Sequence, residues 1–215
     1  MVTTFVINLA TRADRFEKFK KCNYLRWYAY SWAEIKDNDP MIDKMISYHN
    51  IRDTNQHLAK IGCWKSHMSL LEHIVKLKLD KVVVLEDDAV GMFDIDENNL
   101  LDNCITYLGG FFTSPKITET LNRDKLDIYY GVNLVDENEF KIMTTLAYYI
   151  PTWQLAKELY DQVYNNQRYR AIDVMYSQTT IPKAFVYPAL FQEQRLDSDI
   201  RKNKKKFCDL YYKFV

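Results

Sequence analysis

The chain has 215 residues, of which 47% are hydrophobic and 27% are charged, and its 29 basic residues balance 29 acidic ones. This balance leaves no net positive field that would attract nucleic acid, so we do not expect nucleic acid as a partner. The length suits one hydrophobic core, and we predict a single domain over residues 1–215.

Membrane and compartment signals are weak. No apolar run approaches the roughly 18 residues needed to cross a bilayer, and the amino-terminal residues do not resemble a secretion signal. The four cysteines are scattered and no Asn-x-Ser/Thr acceptor occurs, so we expect a cytoplasmic, reducing setting. The basic and aromatic segment 201–214 allows weak peripheral membrane contact, although a solvated end segment is the preferred interpretation.

The first elements alternate between strand and helix. Residues 2–9 predict a strand, and Thr11 is placed to cap a charged helix that extends to about Cys22. Residues 25–32 are aromatic and β-prone, whereas residues 33–60 are polar and indicate a surface loop.

The later elements continue this alternation. Apolar residues at helical spacing predict a helix over 62–79, and the apolar run 82–85 predicts a buried strand directly after it. We also predict helices over 98–108, 152–165 and 172–179, and strands over 126–130, 140–150 and 184–188. The pattern favours an α/β sandwich with a mostly parallel central sheet.

Three adjacent carboxylates, Glu86, Asp87 and Asp88, follow the buried strand directly. They repel one another and resist leaving water, so the cluster is unfavourable unless a cation or good donors lie opposite it. Oxygen-only ligands at a strand end suit Mg²⁺ or Mn²⁺, and not zinc. The alternative is a solvated turn in which Asp88 caps a following helix.

Glycine usage indicates how a nucleotide would be bound. The five glycines form neither GxGxxG nor a P-loop, so another group must neutralise the phosphates of any bound nucleotide, and a cation at the carboxylates could do so. A second acidic pair, Asp94 and Asp96, follows no apolar strand, and we interpret it as a polar loop.

Other candidate residues lie near predicted strand or helix ends. Cys63 and His67 share a helix face at a spacing that zinc sites use, but no second pair supplies further ligands. We therefore expect these two residues to pack in the core or to make a polar contact to substrate. Asn8 and the charged residues after the first strand are expected at the carboxyl edge of the sheet, where they can meet phosphate or a base, or form a solvated turn. These charged residues are Arg12, Asp14 and Arg15.

Five groups of motifs occur in a characteristic order. They are FVINLATRADR (5–15), GCWKSH (62–67), VVVLEDDAV (82–90), LAYYIP (146–151), and AIDVMY (171–176) with YPALFQEQRLDSDI (187–200). Together they resemble glycosyltransferase family 25, which contains lipooligosaccharide and collagen-modifying galactosyltransferases. The resemblance implies a GT-A-like, Rossmann-type fold and Mn²⁺-dependent, inverting transfer of a hexose, such as galactose, from a UDP-sugar to a glycan or hydroxylated side chain.

The resemblance also implies residue roles. Glu86 and Asp88 would bridge metal and donor, and Asp87 would lie beside the ribose or sugar. The nucleotide would be framed by Asn8, Arg12 and Asp14, and approached from the helix start by Ser66 and His67.

Inversion needs a base for the acceptor proton, and Asp173 is our candidate. Many GT-A enzymes complete the metal site with a late histidine, which this chain lacks, so Gln192, Glu193 or water would substitute. Two alternatives stay open: a non-catalytic nucleotide- or glycan-binding protein with the same fold, and a metal-dependent nucleotidyltransferase.

Overall fold

The structure is a computed structural model that describes residues 1–35, 54–110, 112–113, 129–136, 141–166 and 170–194. Most of the predicted loop 33–60, most of the predicted strand 126–130 and the basic segment 201–214 lie outside the described residues.

The amino-terminal strand lies between two parallel neighbours. Strand β1 (Thr3–Leu9) pairs in parallel with β2 (Leu25–Ala29) and with β3 (Val82–Glu86). Helix α2 (Thr54–Leu77) precedes β3 and begins earlier than predicted. Its first residues are polar, so apolar periodicity could not reveal them.

The helix predicted from Thr11 to Cys22 is confirmed in extent but is not one α-helix. The chain instead forms a short helix α1 (Ala13–Phe16) between 3₁₀ turns at Ala10–Arg12 and Glu17–Cys22, and no side-chain hydrogen bond caps its start. The side-chain amide of Asn8 donates to the Arg12 carbonyl at 2.8 Å, and this bond holds the turn Ala10–Arg12 against the end of β1.

The remaining elements complete a mixed sheet. They are β4 (Ala89–Gly91), β5 (Ile105–Gly109), β6 (Phe112–Thr113), β7 (Gly131–Leu134), β8 (Lys141–Ile142), β9 (Ala147–Ile150), α3 (Trp153–Tyr164), α4 (Ile172–Ser177), β10 (Lys183–Tyr187) and β11 (Phe191–Glu193). Within the described residues, nine strands form one sheet with the order β2-β1-β3-β9-β5-β10-β7, and β11 joins β5 to β4.

Most strands of this sheet run in one direction. Strands β1, β2, β3, β5, β10 and β11 share it, whereas β9 runs antiparallel between β3 and β5, and β7 and β4 also run against it. The predicted α/β fold with a mostly parallel sheet is therefore confirmed.

Strand β3 is buried on both faces, which explains its uninterrupted apolar run. Val82 and Val84 pack in the cluster that contains the buried faces of α2, α3 and α4, whereas Val83 and Leu85 pack with Phe19 on the opposite face. No helix of the described residues is long and apolar enough to span a membrane.

Two predictions for the middle of the chain are wrong. No α-helix forms over 98–108: a 3₁₀ turn at Glu97–Asn99 is followed by irregular residues and then by β5, a strand buried at every position, and periodicity alone cannot separate a short apolar strand from a buried helix. Asp88 does not cap a helix, since strand β4 follows it. The predicted strand 140–150 is divided into β8 and β9.

The close contact between β5 and β11 gives a stability test. A Cβ on Gly109 would lie 2.3 Å from the Phe191 carbonyl oxygen, whereas one on Gly91 would lie 3.6 Å from the ring of the same Phe191. We expect Gly109→Ala to lower the free energy of unfolding by about 1–3 kcal/mol through overpacking. Urea denaturation measures the loss, with Gly91→Ala as the matched control. Equal effects of the two variants would contradict the packing of β11.

Candidate functional site

The ends of β1 and β3 bring the first predicted site residues together. The two strands are parallel, with Ile7 opposite Glu86, so the residues that follow each strand share one edge of the sheet. The buried Asn8 side chain donates to Asp87 Oδ2 at 2.7 Å. The predicted proximity of these two segments is confirmed.

Asp87 is compensated within the protein. Its Oδ1 accepts a hydrogen bond from Arg15 Nη1 at 3.1 Å, and both side chains of this ion pair are mostly buried. The two partners, Arg15 and Asn8, anchor the α1 turn to the end of β3. Asp87 is thereby held in one orientation at the sheet edge.

Asp88 is in a much less favourable position. Its Oδ1 is buried and has no hydrogen-bond partner among the described residues. Burial, together with the charges of Glu86, Glu193 and Asp87, raises the pKa of Asp88 to about 7, while the charge of Arg15 opposes this shift. Negative charge therefore exceeds positive charge around this carboxyl.

Glu86 is fixed by two polar neighbours. Its Oε1 accepts a hydrogen bond from Thr145 Oγ1 at 2.5 Å and lies 3.4 Å from His67 Nε2. Part of its side chain remains exposed, so the carboxylate is oriented but still accessible.

His67 is part of a buried polar chain. Its Nδ1 is hydrogen-bonded to the Tyr148 hydroxyl at 2.9 Å, and that hydroxyl lies 3.3 Å from the hydroxyl of Tyr176. These contacts orient the imidazole so that Nε2 faces Glu86. Burial raises the pKa of both tyrosines, which keeps them neutral.

Cys63 and His67 do have a third potential ligand. One ligand atom from each of Cys63, His67 and Glu86 lies within 4.8 Å of the other two. Our objection to a metal at Cys63 and His67, that no further ligand is available, is therefore wrong. The missing group comes from a strand that the helix packs against.

Asp173 lies in the first turn of α4, and its Oδ1 accepts a hydrogen bond from the Val174 amide at 2.8 Å. Burial raises the pKa of the Cys63 thiol, and the charges of Glu86, Asp173 and Asp88 raise it further. All three carboxylates therefore lie near enough for their charges to act on this thiol. The fold brings Asp173 to the same cluster from a distant part of the sequence.

Three other predicted residues differ in exposure. Ser66 is buried, donates to the Gly62 carbonyl at 2.6 Å and accepts from the Tyr30 amide at 2.9 Å, so it ties α2 to the end of β2. Arg12 and Asp14 pair at 3.4 Å on the surface of the α1 turn. Their predicted contacts to a nucleotide remain predictions.

Sequence analysis did not identify Lys18, Thr145 or Tyr148. The Lys18 ammonium donates to Gln194 Oε1 at 2.9 Å. Burial lowers the pKa of Lys18, although the charges of Asp88 and Asp87 oppose this shift. Lys18 follows Arg15 by three residues, and residues at this spacing share a face of a helical turn, so the sequence could have indicated that Lys18 lies near the site. Thr145 and Tyr148 carry no comparable signal.

Glu193 was one of three alternatives for completing the metal site. It lies opposite Ala89 in the pairing of β11 with β4, and its charge raises the pKa of Asp88. The Gln194 amide also donates to the Asp88 carbonyl at 2.6 Å. Glu193 therefore lies near enough to Asp88 for its charge to act on that carboxyl, and its role as a metal ligand remains a prediction.

The position of Asp88 predicts a pH-dependent stability. Because its folded-state pKa is raised from 3.8 to about 7, the stabilising contribution of its proton is fully present below the unfolded-state pKa and is lost as pH rises to about 7. Without metal, we expect Asp88→Asn to increase the free energy of unfolding by on the order of 2 kcal/mol at about pH 8 and to change it little at about pH 3. Denaturation at both pH values measures this, and a destabilised variant at the higher pH would contradict it.

Comparison with known proteins identifies the family of this chain. The family model described as glycosyltransferase family 25 (LPS biosynthesis protein) matches residues 1–176, which include Asn8, the three carboxylates and Asp173. A comparison with curated proteins finds no match. Because the family match covers most of the chain and nearly all of the site, the chain belongs to glycosyltransferase family 25.

Proposed function

We propose that this protein is a metal-dependent, inverting glycosyltransferase that moves a hexose, specifically galactose, from a UDP-sugar to a glycan or a hydroxylated side chain. Family membership implies a sugar donor and a glycan acceptor. The choice of metal, donor and stereochemistry is our proposal. The observation that supports it best is the buried Asp88 oxygen, which has no hydrogen-bond partner in the described structure although three neighbouring carboxylates repel it.

The residues present fit a hard divalent cation. Glu86 and Asp88 offer carboxylate oxygens at a sheet edge, and Glu193 stands close enough for its charge to act on Asp88. Such oxygens suit Mn²⁺ or Mg²⁺, which commonly keep few protein ligands and share substrate phosphates. When bound, the ion would lower the cost of the charge that develops on the departing diphosphate.

The surrounding residues orient Glu86 and Asp87. A hydrogen bond from Thr145 holds Glu86, which also lies 3.4 Å from His67 Nε2, and hydrogen bonds from Arg15 and Asn8 hold Asp87, which we assign to the ribose or sugar. Hydrogen-bonded partners of this kind fix ligand direction before substrate arrives.

The nucleotide is assigned to the edge beyond β1. We assign Asn8, Arg12 and Asp14 to its frame, with Ser66 and His67 at the helix that borders it. The partly exposed Arg12 guanidinium is available at the surface for phosphate, and guanidinium groups match phosphate geometry well.

Asp173 is assigned as the base. The acceptor oxygen attacks the anomeric carbon, its proton passes to the Asp173 carboxylate, and the bond to the diphosphate breaks on the opposite face of the sugar. The configuration therefore inverts. The shared influence of Asp173, Glu86 and Asp88 on the Cys63 thiol supports the placement of the base beside the donor site.

We also propose a cytoplasmic location. Among the described residues, Cys22, Cys63 and Cys104 are free thiols, which supports a reducing compartment.

Donor turnover tests the function directly. With a panel of UDP-sugars we expect Mn²⁺-dependent UDP release, highest with UDP-galactose and abolished by chelator. Because Asp88 is assigned to the ion, Asp88→Asn should lower kcat by roughly 10²–10³-fold. Asp94→Asn, in the polar loop, is the control and should retain activity. Metal-independent release would contradict the proposal, and release of pyrophosphate would identify a nucleotidyltransferase.

The base assignment has a separate test. Because loss of a general base removes about 10²–10⁴-fold in rate, we expect Asp173→Asn to lower kcat by that factor. UDP affinity, measured by calorimetry with Mn²⁺, should stay unchanged. Asp161→Asn, on the exposed surface of α3, is the control. An Asp173→Asn variant with undiminished kcat would exclude Asp173 as the base.

A further inference from the structure

The side chains of Cys63, His67 and Glu86 form a compact group with three different donor atoms. Cys63 and His67 lie one turn apart on the same face of α2, and Glu86 is the last residue of β3. Since their ligand atoms lie within 4.8 Å of one another, a single point lies within about 2.8 Å of all three. Movements of under about 1 Å would bring each atom to a zinc-ligand distance.

The imidazole of His67 is held in an orientation that suits metal binding. It is almost fully buried, and its Nε2 has no hydrogen-bond partner among the described residues, although Glu86 Oε1 lies 3.4 Å away. The hydrogen bond between Nδ1 and Tyr148 fixes the ring and directs Nε2 into the group. Metal-bound histidines commonly use their second ring nitrogen in this way.

The donor set differs from that of the proposed donor ion. Thiolate and imidazole select Zn²⁺ or Co²⁺, whereas carboxylate oxygens alone select Mn²⁺ or Mg²⁺. Three protein ligands also leave a fourth tetrahedral position open for water or another group.

We propose that Cys63, His67 and Glu86 form a second metal site that binds a borderline divalent cation such as Zn²⁺, with Tyr148 as the positioning residue for His67. The ion replaces the thiol proton of Cys63, which passes to solvent. This site does not depend on sugar transfer, although Glu86 is shared with the proposed donor ion.

Cobalt spectroscopy on the metal-free, full-length protein tests the proposal. We expect one Co²⁺ per chain, a thiolate-to-cobalt charge-transfer band and the visible bands of tetrahedral cobalt. Cys63→Ser should lose the charge-transfer band and bind Co²⁺ at least about 10-fold more weakly, while Cys22→Ser should retain both. Tyr148→Phe should keep the band with about 10-fold weaker affinity.

Two outcomes would overturn the site: a wild-type protein without the charge-transfer band, or a band that persists in Cys63→Ser. If Cys63→Ser does not fold, X-ray absorption of the zinc-loaded wild type decides, since a sulfur neighbour at about 2.3 Å is required and a shell of only nitrogen and oxygen excludes it. Asp88→Asn should retain the cobalt band even where it loses sugar transfer, so failure of the two proposals can be distinguished.

Discussion

The crowding of carboxylates at the end of β3 is the constraint on which the site depends. Asp87 is neutralised by Arg15 and held by Asn8, but Asp88 lies partly buried near Glu86, Asp87 and Glu193, and no described residue forms a hydrogen bond with its buried Oδ1. Such an arrangement is costly in the absence of a bound cation. Under the proposed function, this unfavourable arrangement lies where a divalent ion would stabilise the departing diphosphate.

Sequence patterns predicted which site residues directly follow a strand of the sheet. The apolar run before Glu86 indicated a doubly buried strand, and the parallel pairing of β1 with β3 then placed Asn8 beside Asp87. The β5 helix prediction failed because a short apolar segment carries no period that separates strand from helix. The contact of Glu86 with Thr145 and His67 was not predictable, since it depends on how α2 and the residues before β9 pack around β3.

Glu86 is shared by the two proposed metal sites. Its carboxylate is directed by Thr145 and faces His67, so it can serve an oxygen-ligated ion with Asp88 or a softer ion with Cys63. An ion at one of these positions reduces the negative charge available at the other. On this account, Zn²⁺ acts as a competitor of the Mn²⁺-dependent reaction, and Tyr148 controls that competition through the orientation of His67.

Anomalous diffraction at the manganese edge, from crystals soaked with Mn²⁺ and UDP, would show whether a cation binds between Glu86 and Asp88. We expect a peak about 2.2 Å from carboxylate oxygens of both residues, next to the diphosphate. A manganese peak distant from both carboxylates in crystals that contain bound UDP would contradict the proposed role of the carboxylates.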